Sequence, residues 1–199
     1  MKNEVELKAV LSDPTTARMR LLSVGAVVRF RGAMSDRRYD RSGQLAARDE
    51  VLRLRTFRDV EGRSSAVLGW KGPTRRSRDG YKEREEIELA VGESHRQPAA
   101  FLEALGYEAM HAVDRWVEVF ELEGAIVRLE SYPRMDDLVE VEGEPAAIER
   151  AIAVLGIPRA EFTAEPLNEF TRRYELRTGS RAVLASSSGK AHPPPWASR

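Results

Sequence analysis

The chain has no cysteine. Disulfides, thiolate zinc sites and cysteine nucleophiles are excluded, and a reducing, cytoplasmic setting is expected. It also has no apolar run approaching the roughly 18 residues a membrane helix needs. The start, Met1-Lys2-Asn3-Glu4, passes straight into an alternating segment, so no signal-peptide core is expected there. Neither sign of charge is in excess, since 32 Lys and Arg face 32 Asp and Glu. Nucleic-acid binders usually carry a basic surplus, so neither nucleic acid nor membrane is an expected partner. Histidine is scarce, three in 199 residues, and none has metal-ligand spacing. What the chain does have is charge of both signs at 32% of residues, above the usual proportion of about a quarter. The question is where opposite charges meet.

The length suits one domain with a real core. Residues 4–11 alternate charged and apolar, predicting a strand. Asp13-Pro14 supplies the cap and first-turn proline of a helix reaching about Leu22. Short strands are expected at 26–31 and around Tyr39-Asp40, and longer ones at 51–58, 64–71, 81–91, 113–123, 125–132 and 138–142. Helices are expected at 98–105, 146–155 and 166–177. The basic segment 74–80 reads as a mobile loop. From Gly179 the chain is rich in Ser, Gly and Pro, predicting a disordered tail over 179–199 and one domain over 1–178. About eight strands with a few helices and short crossovers describe an α+β protein built on an antiparallel sheet.

Residues two apart in a strand share a face. Glu4, Glu6 and Lys8 therefore line one side of the first strand, and Val5, Leu7 and Ala9 the other. The split recurs: Arg53 and Arg55 against Leu52 and Leu54; Arg84, Glu86 and Glu88 against Ile87 and Leu89; Arg128 and Glu130 against Val127 and Leu129; Glu140 and Glu142 against Val139 and Val141. Lys71 ends a mainly apolar strand. One such face is ordinarily the wet side of a sheet. Repeated carboxylate doublets are different, because neighbouring like charges repel unless cations stand beside them. A polyanion with divalent metal resolves this. Arg and Lys grip phosphate oxygens, and carboxylates hold Mg²⁺ or Mn²⁺. Closing the sheet into a barrel would gather the bases into a ring.

Glu4-Val5-Glu6-Leu7-Lys8 resembles the ExExK signature of the CYTH superfamily, the triphosphate tunnel metalloenzymes. The later order is similar too: Tyr39-Asp40, LRLR with Arg53 and Arg55, WKGP with Lys71, REEIE with Arg84, Glu86 and Glu88, then Arg115, and a final ExE at Glu140 and Glu142. The resemblance covers roughly residues 3–177. It implies a closed eight-stranded antiparallel β-barrel, a tunnel with helices packed outside. It implies Lys8, Arg53, Arg55, Lys71, Arg84 and Arg115 as ligands of a small-molecule triphosphate. Glu4, Glu6, Glu130, Glu140 and Glu142 would surround Mg²⁺ or Mn²⁺, with Glu4, Glu6 and Lys8 as the catalytic group. Glu86 and Glu88 would orient the bases or contribute to the metal shell. Three positions depart from the pattern: Val113 stands where many members have Lys, Glu130 where many have Asp, and Arg134-Met135-Asp136 replaces a Gly-rich turn. The expected activity is metal-dependent triphosphate hydrolysis. The alternatives are a class IV adenylate cyclase and a non-catalytic polyphosphate- or nucleotide-binding module. A homodimer could cover apolar outer faces that the helices leave open.

Overall fold

The structure is a computed structural model that describes residues 2–76, 82–186 and 191–198. Its strands are β1 (Lys2–Val10), β2 (Val27–Asp40), β3 (Val51–Asp59), β4 (Ser64–Lys71), the two-residue β5 (Arg75–Arg76), β6 (Lys82–Gly92), β7 (Glu108–Leu122), β8 (Ala125–Ser131) and β9 (Leu138–Glu142). They run in the order β1-β9-β8-β7-β2-β3-β4-β6, and β6 pairs back onto β1. Every pairing is antiparallel. The sheet is thus a closed barrel of eight strands, with β5 appended to the edge of β6. Closure leaves no long unpaired edge. The helices are α1 (Pro14–Ser23), α2 (Arg96–Ala104), α3 (Pro145–Leu155) and α4 (Leu167–Thr178). Among the described residues, no helix is long and apolar enough to cross a membrane.

Alternation dictates the layers. Leu7 and Ala9 of β1, Val127 and Leu129 of β8, and Val139 and Val141 of β9 point outward into one core with Leu21 of α1 and Ile148 and Ile152 of α3. Trp116 and Phe120 of β7 join it from the same outer face. Each fully buried side chain of this kind contributes roughly 1.5–3 kcal/mol. Local signals set the helix ends. Asp13 accepts from the Thr16 amide at 3.0 Å, and Pro14 follows at the first helical position. Helix α3 ends at Gly156 with φ 67°, and a Cβ there would stand 1.6 Å from the Arg20 guanidinium, which itself donates to the Leu155 carbonyl at 2.7 Å. Glycine takes this left-handed turn without backbone strain and leaves room for the guanidinium.

A second cluster joins Val113, Tyr132 and Leu138, which share strand faces with the ionic residues, to Phe170 of α4, with Leu167, Met135 and Leu184 against them. Helix α4 therefore packs an apolar cap onto the side chains that continue the ionic face of β7, β8 and β9. The two departures at Val113 and Arg134-Met135-Asp136 belong to this cap. Val113 and Met135 pack in it, and Asp136 accepts from Arg177 of α4 at 2.6 and 2.7 Å.

Two expectations are corrected. Residues 26–31 and Tyr39-Asp40 are parts of one 14-residue strand, β2, which pairs with both β3 and β7 and absorbs two register irregularities along β7. Its middle escapes the alternation test because Ser35 and Arg37 make the outward face polar as well. The segment after Gly179 is also no plain tail where it is described. Val183 forms an antiparallel bridge with Arg134, and Leu184 packs in the α4 cluster. Trp196 and Ala197 are buried in the main core, with the Trp196 indole donating to Asp137 at 2.8 Å. One large aromatic with a satisfied N–H outweighs the flexible composition around it. Of the basic segment 74–80, Arg75 and Arg76 form β5, and 77–80 lie outside the described residues.

Candidate active site inside the barrel

The charged faces of separate strands converge. Glu6, Lys8, Asp36, Arg53, Arg55, Lys71, Arg84, Arg115, Glu130, Glu140 and Glu142 are all no more than 9% exposed. Such residues are almost never buried unless paired, and here they pair with one another across the strands. The Lys8 ammonium lies 2.9 Å from Glu6 and 2.7 Å from Glu140. Arg128 spans Glu140 and Glu142. On the other side, Tyr132 donates to Glu130 at 2.6 Å, and Arg115 donates to Glu130 at 2.9 Å and to Asp36 at 3.0 Å. Arg55 binds Asp36 with two N–H groups, at 2.7 and 3.0 Å. Arg53 then reaches Glu86 at 3.4 Å and Glu88 at 3.5 Å, and Lys71 meets Glu86 at 3.2 Å.

The contacts form two groups, one over β1, β9 and β8 and one over β8, β7, β2, β3, β6 and β4, which together cover the circumference. Register explains it. Lys8 stands opposite Glu140, and Arg128 opposite Glu140 from the other neighbour. Lys71 stands opposite Glu86. Gly69, opposite Arg53 and Glu88, puts no side chain between them.

The electrostatics follow from burial and pairing. Burial alone would raise the Asp36 carboxyl, but Arg55, Arg115 and Arg53 hold it well below the usual carboxylate range. Burial likewise opposes Glu140, and Lys8 and Arg128 override it and keep it ionised. The Lys8 ammonium is raised despite its burial, by Glu140 and Glu6. Arg115 is raised by Glu130 and Asp36 against the same burial. Arg53 goes the other way. Burial and the adjacent Arg55 lower it, and each of its carboxylate contacts is 3.4 Å or longer. An incoming anion would relieve this cation.

The predicted residues are therefore largely brought together. Lys8, Arg53, Arg55, Lys71 and Arg115 share the interior with Glu6, Glu86, Glu140 and Glu142. Glu88 is nearer the rim, its side chain 47% exposed. Arg84 is buried but tied to loop backbone, donating to the Gly72 carbonyl at 2.6 Å and to the Asp49 carbonyl. Glu130 is held by Arg115 and Tyr132, apart from the acidic group on β1 and β9. The Glu4 backbone pairs with Arg84, and its side chain lies outside the described residues. Asp36 was missed. Its signal is the two-residue spacing Asp36, Arg38 just ahead of Tyr39-Asp40.

Glu6, Glu140 and Glu142 offer hard oxygen donors, and Glu6 stands directly opposite Glu142. This donor chemistry suits Mg²⁺ or Mn²⁺. In this conformation no three acidic or histidine side chains among the described residues are arranged around a metal position, and Lys8 and Arg128 are paired with these carboxylates. A separate cavity of about 600 Å³ lies on the outside of β2 and β3, bordered by Ser35, Thr56, Trp116, His95 and His192. It holds none of the ionic side chains of the barrel interior.

No protein-family model matches the chain, and no curated protein matches it. Solved structures do. The PH1819 protein from Pyrococcus horikoshii OT3 is 23% identical, with 85% of this chain and 98% of that one covered and a TM-score of 0.69. A "putative adenylate cyclase" from Vibrio parahaemolyticus is 19% identical over 85% of this chain and 97% of its own, with a TM-score of 0.68. A "putative adenylyl cyclase" from Hippeastrum, described as having a dominant triphosphatase activity, is 18% identical over 92% and 99%, with a TM-score of 0.61. The likeness is one of fold: this chain has the closed barrel of these cyclase- and triphosphatase-related proteins, the fold that its resemblance to the CYTH superfamily implied.

Proposed function

We propose that the chain is a divalent-metal-dependent triphosphate phosphohydrolase acting on inorganic, nucleoside or thiamine triphosphate. The observation that carries this reading is the set of buried Arg, Lys and carboxylate side chains distributed around one barrel interior. Arg53, Arg55 and Arg115 present planar forks that suit phosphate oxygens. Asp36 and Glu86 orient those forks before any ligand arrives, so little reorganisation is left for the transfer step. Lys8 and Lys71 place point charges beside Glu140 and Glu86. The enclosed interior limits water, which strengthens each of these contacts.

Glu6, Glu140 and Glu142 would hold the metal, which when bound would polarise the phosphoryl group and lower the pKa of a water. A triphosphate carries about four negative charges, and the interior's own bases are already matched by carboxylates. The substrate must therefore bring cationic partners with it, which favours a metal–triphosphate complex over the free anion.

The cyclase descriptions of the neighbours support a second reading, in which ATP yields cyclic AMP and pyrophosphate. One assay separates the readings. Purified protein is incubated with Mg²⁺ or Mn²⁺ and either tripolyphosphate, ATP or thiamine triphosphate. Orthophosphate release is expected, and Glu6→Gln should cut it by about a hundredfold or more while circular dichroism stays unchanged. Cyclic AMP with pyrophosphate would establish the cyclase instead. Tight tripolyphosphate binding without metal and without turnover would establish a binding module.

A further inference from the structure

Arg128 belongs to no part of the recognised pattern, yet it sits where the pattern would place a metal. It lies on β8 directly opposite Glu140 of β9. One end of its guanidinium donates to Glu140 and the other to Glu142 at 3.1 Å. The second oxygen of Glu140 is taken by Lys8 at 2.7 Å, and Lys8 also holds Glu6 at 2.9 Å. The three carboxylates best suited to a divalent ion are thus bound by two side-chain cations of the same chain.

The two cations differ. Lys8 is the more enclosed, its side chain 11% exposed against 20% for Arg128, and it lies between two carboxylates on its own and the adjacent strand. Arg128 is the more exposed of the two, and it is the one that spans the Glu140–Glu142 pair. An Mg²⁺ or Mn²⁺ ion takes carboxylate oxygens at short distance in near-octahedral array. Both oxygens of Glu140 and one of Glu142 already accept from Lys8 and Arg128, so an ion at this pair competes with the guanidinium that spans it.

We propose that Arg128 is a resident counter-cation of the acidic group, closing the Glu140–Glu142 pair in the metal-free protein and leaving it when a divalent ion binds. This inference rests on the metal-dependent reading above. It accounts for two facts together: buried carboxylates clustered tightly enough to demand a cation, and no metal-ready arrangement among them in this conformation. The physical consequence is a lowered metal affinity, because each binding event must first break a charge-assisted pair. Metal loading then becomes sensitive to anything else that can take the displaced guanidinium, above all an anionic substrate in the same interior.

The test is calorimetric titration of Mn²⁺ into the full chain without substrate, for wild type, Arg128→Gln and Arg128→Met. Removing the competitor should tighten Mn²⁺ binding by roughly tenfold or more, the scale of one close charge pair. Equal or weaker binding by both variants overturns the proposal and leaves the metal-dependent reading standing, provided wild type binds. Absence of Mn²⁺ binding by wild type and variants alike overturns both. Arg128→Lys guards against a folding defect, because it keeps a cation beside Glu140 and Glu142 while removing the guanidinium fork. It should bind Mn²⁺ more tightly than wild type and less tightly than Arg128→Gln, and wild-type affinity in this variant also counts against the proposal.

Discussion

Replacing Asp36 with Asn tests whether the bases of the barrel are held in place by an internal carboxylate. Asp36 is 5% exposed and accepts three charge-assisted bonds, two from Arg55 and one from Arg115. Asn keeps the shape but supplies one neutral acceptor and turns a donor group toward two guanidinium ions. Breaking a buried pair from one side costs about 3–5 kcal/mol. At ~2–4 °C per kcal/mol for a chain of this size, the melting temperature should fall by roughly 6–20 °C. Added tripolyphosphate, with chelator present, should close part of that gap, because the vacated charge is one the anion can replace. If the variant binds it tenfold more tightly, saturating ligand returns about 1.4 kcal/mol relative to wild type. Differential scanning fluorimetry across a tripolyphosphate series reads both effects. A variant that melts with wild type and shifts equally with ligand would refute the claim that Asp36 organises Arg55 and Arg115.

The same residue predicts an acid limit. Its folded-state carboxyl is depressed by burial-opposing Arg55, Arg115 and Arg53, so its stabilisation is present above the unfolded value of about 3.9 and is lost as pH falls below it; melting temperature measured from pH 5 down to pH 2 should decline less steeply in Asp36→Asn than in wild type. Trp196→Ala should cost about 3–5 kcal/mol, since the indole is 8% exposed within the main core and bonded to Asp137; an unchanged urea midpoint would show that the C-terminal segment contributes nothing to stability.

The outward apolar and inward ionic periodicity made most of this architecture legible. In β1, β3, β8 and β9 each charged doublet faces an apolar one, so the inner face can be read directly from the letters. Where both faces are polar the reading fails, and Asp36 was lost for that reason: Ser35 and Arg37 flank it with no apolar contrast, and Arg37 has its own outward partner in Asp114 at 2.8 Å. Arg84 was legible as an interior base but not as one pinned by the Gly72 and Asp49 carbonyls, because loop backbone positions have no sequence period. Val113 and α4 show the same boundary. The helix could be read from its composition. Its burial of Phe170 against Val113, Tyr132 and Leu138 could not, because that cluster depends on which side of the closed barrel the helix packs against.

The pairing pattern also bears on what can enter. Arg55 and Arg115 share Asp36, Arg53 and Lys71 share Glu86, and Lys8 and Arg128 share Glu140. In each case one carboxylate bridges two cations, and Arg115, Arg53, Lys8 and Arg128 each reach a further carboxylate, in Glu130, Glu88, Glu6 and Glu142. The interior is therefore close to balanced without a ligand, and an anion that enters must compete with these carboxylates for the bases. A neutral ligand could not compete for those cations, and a monoanion would engage only one of the pairs. A linear polyanion with several charged groups in series would meet all three pairs at once. Its release of those shared carboxylates toward a divalent ion would bind anion and metal cooperatively, with neither as favourable alone.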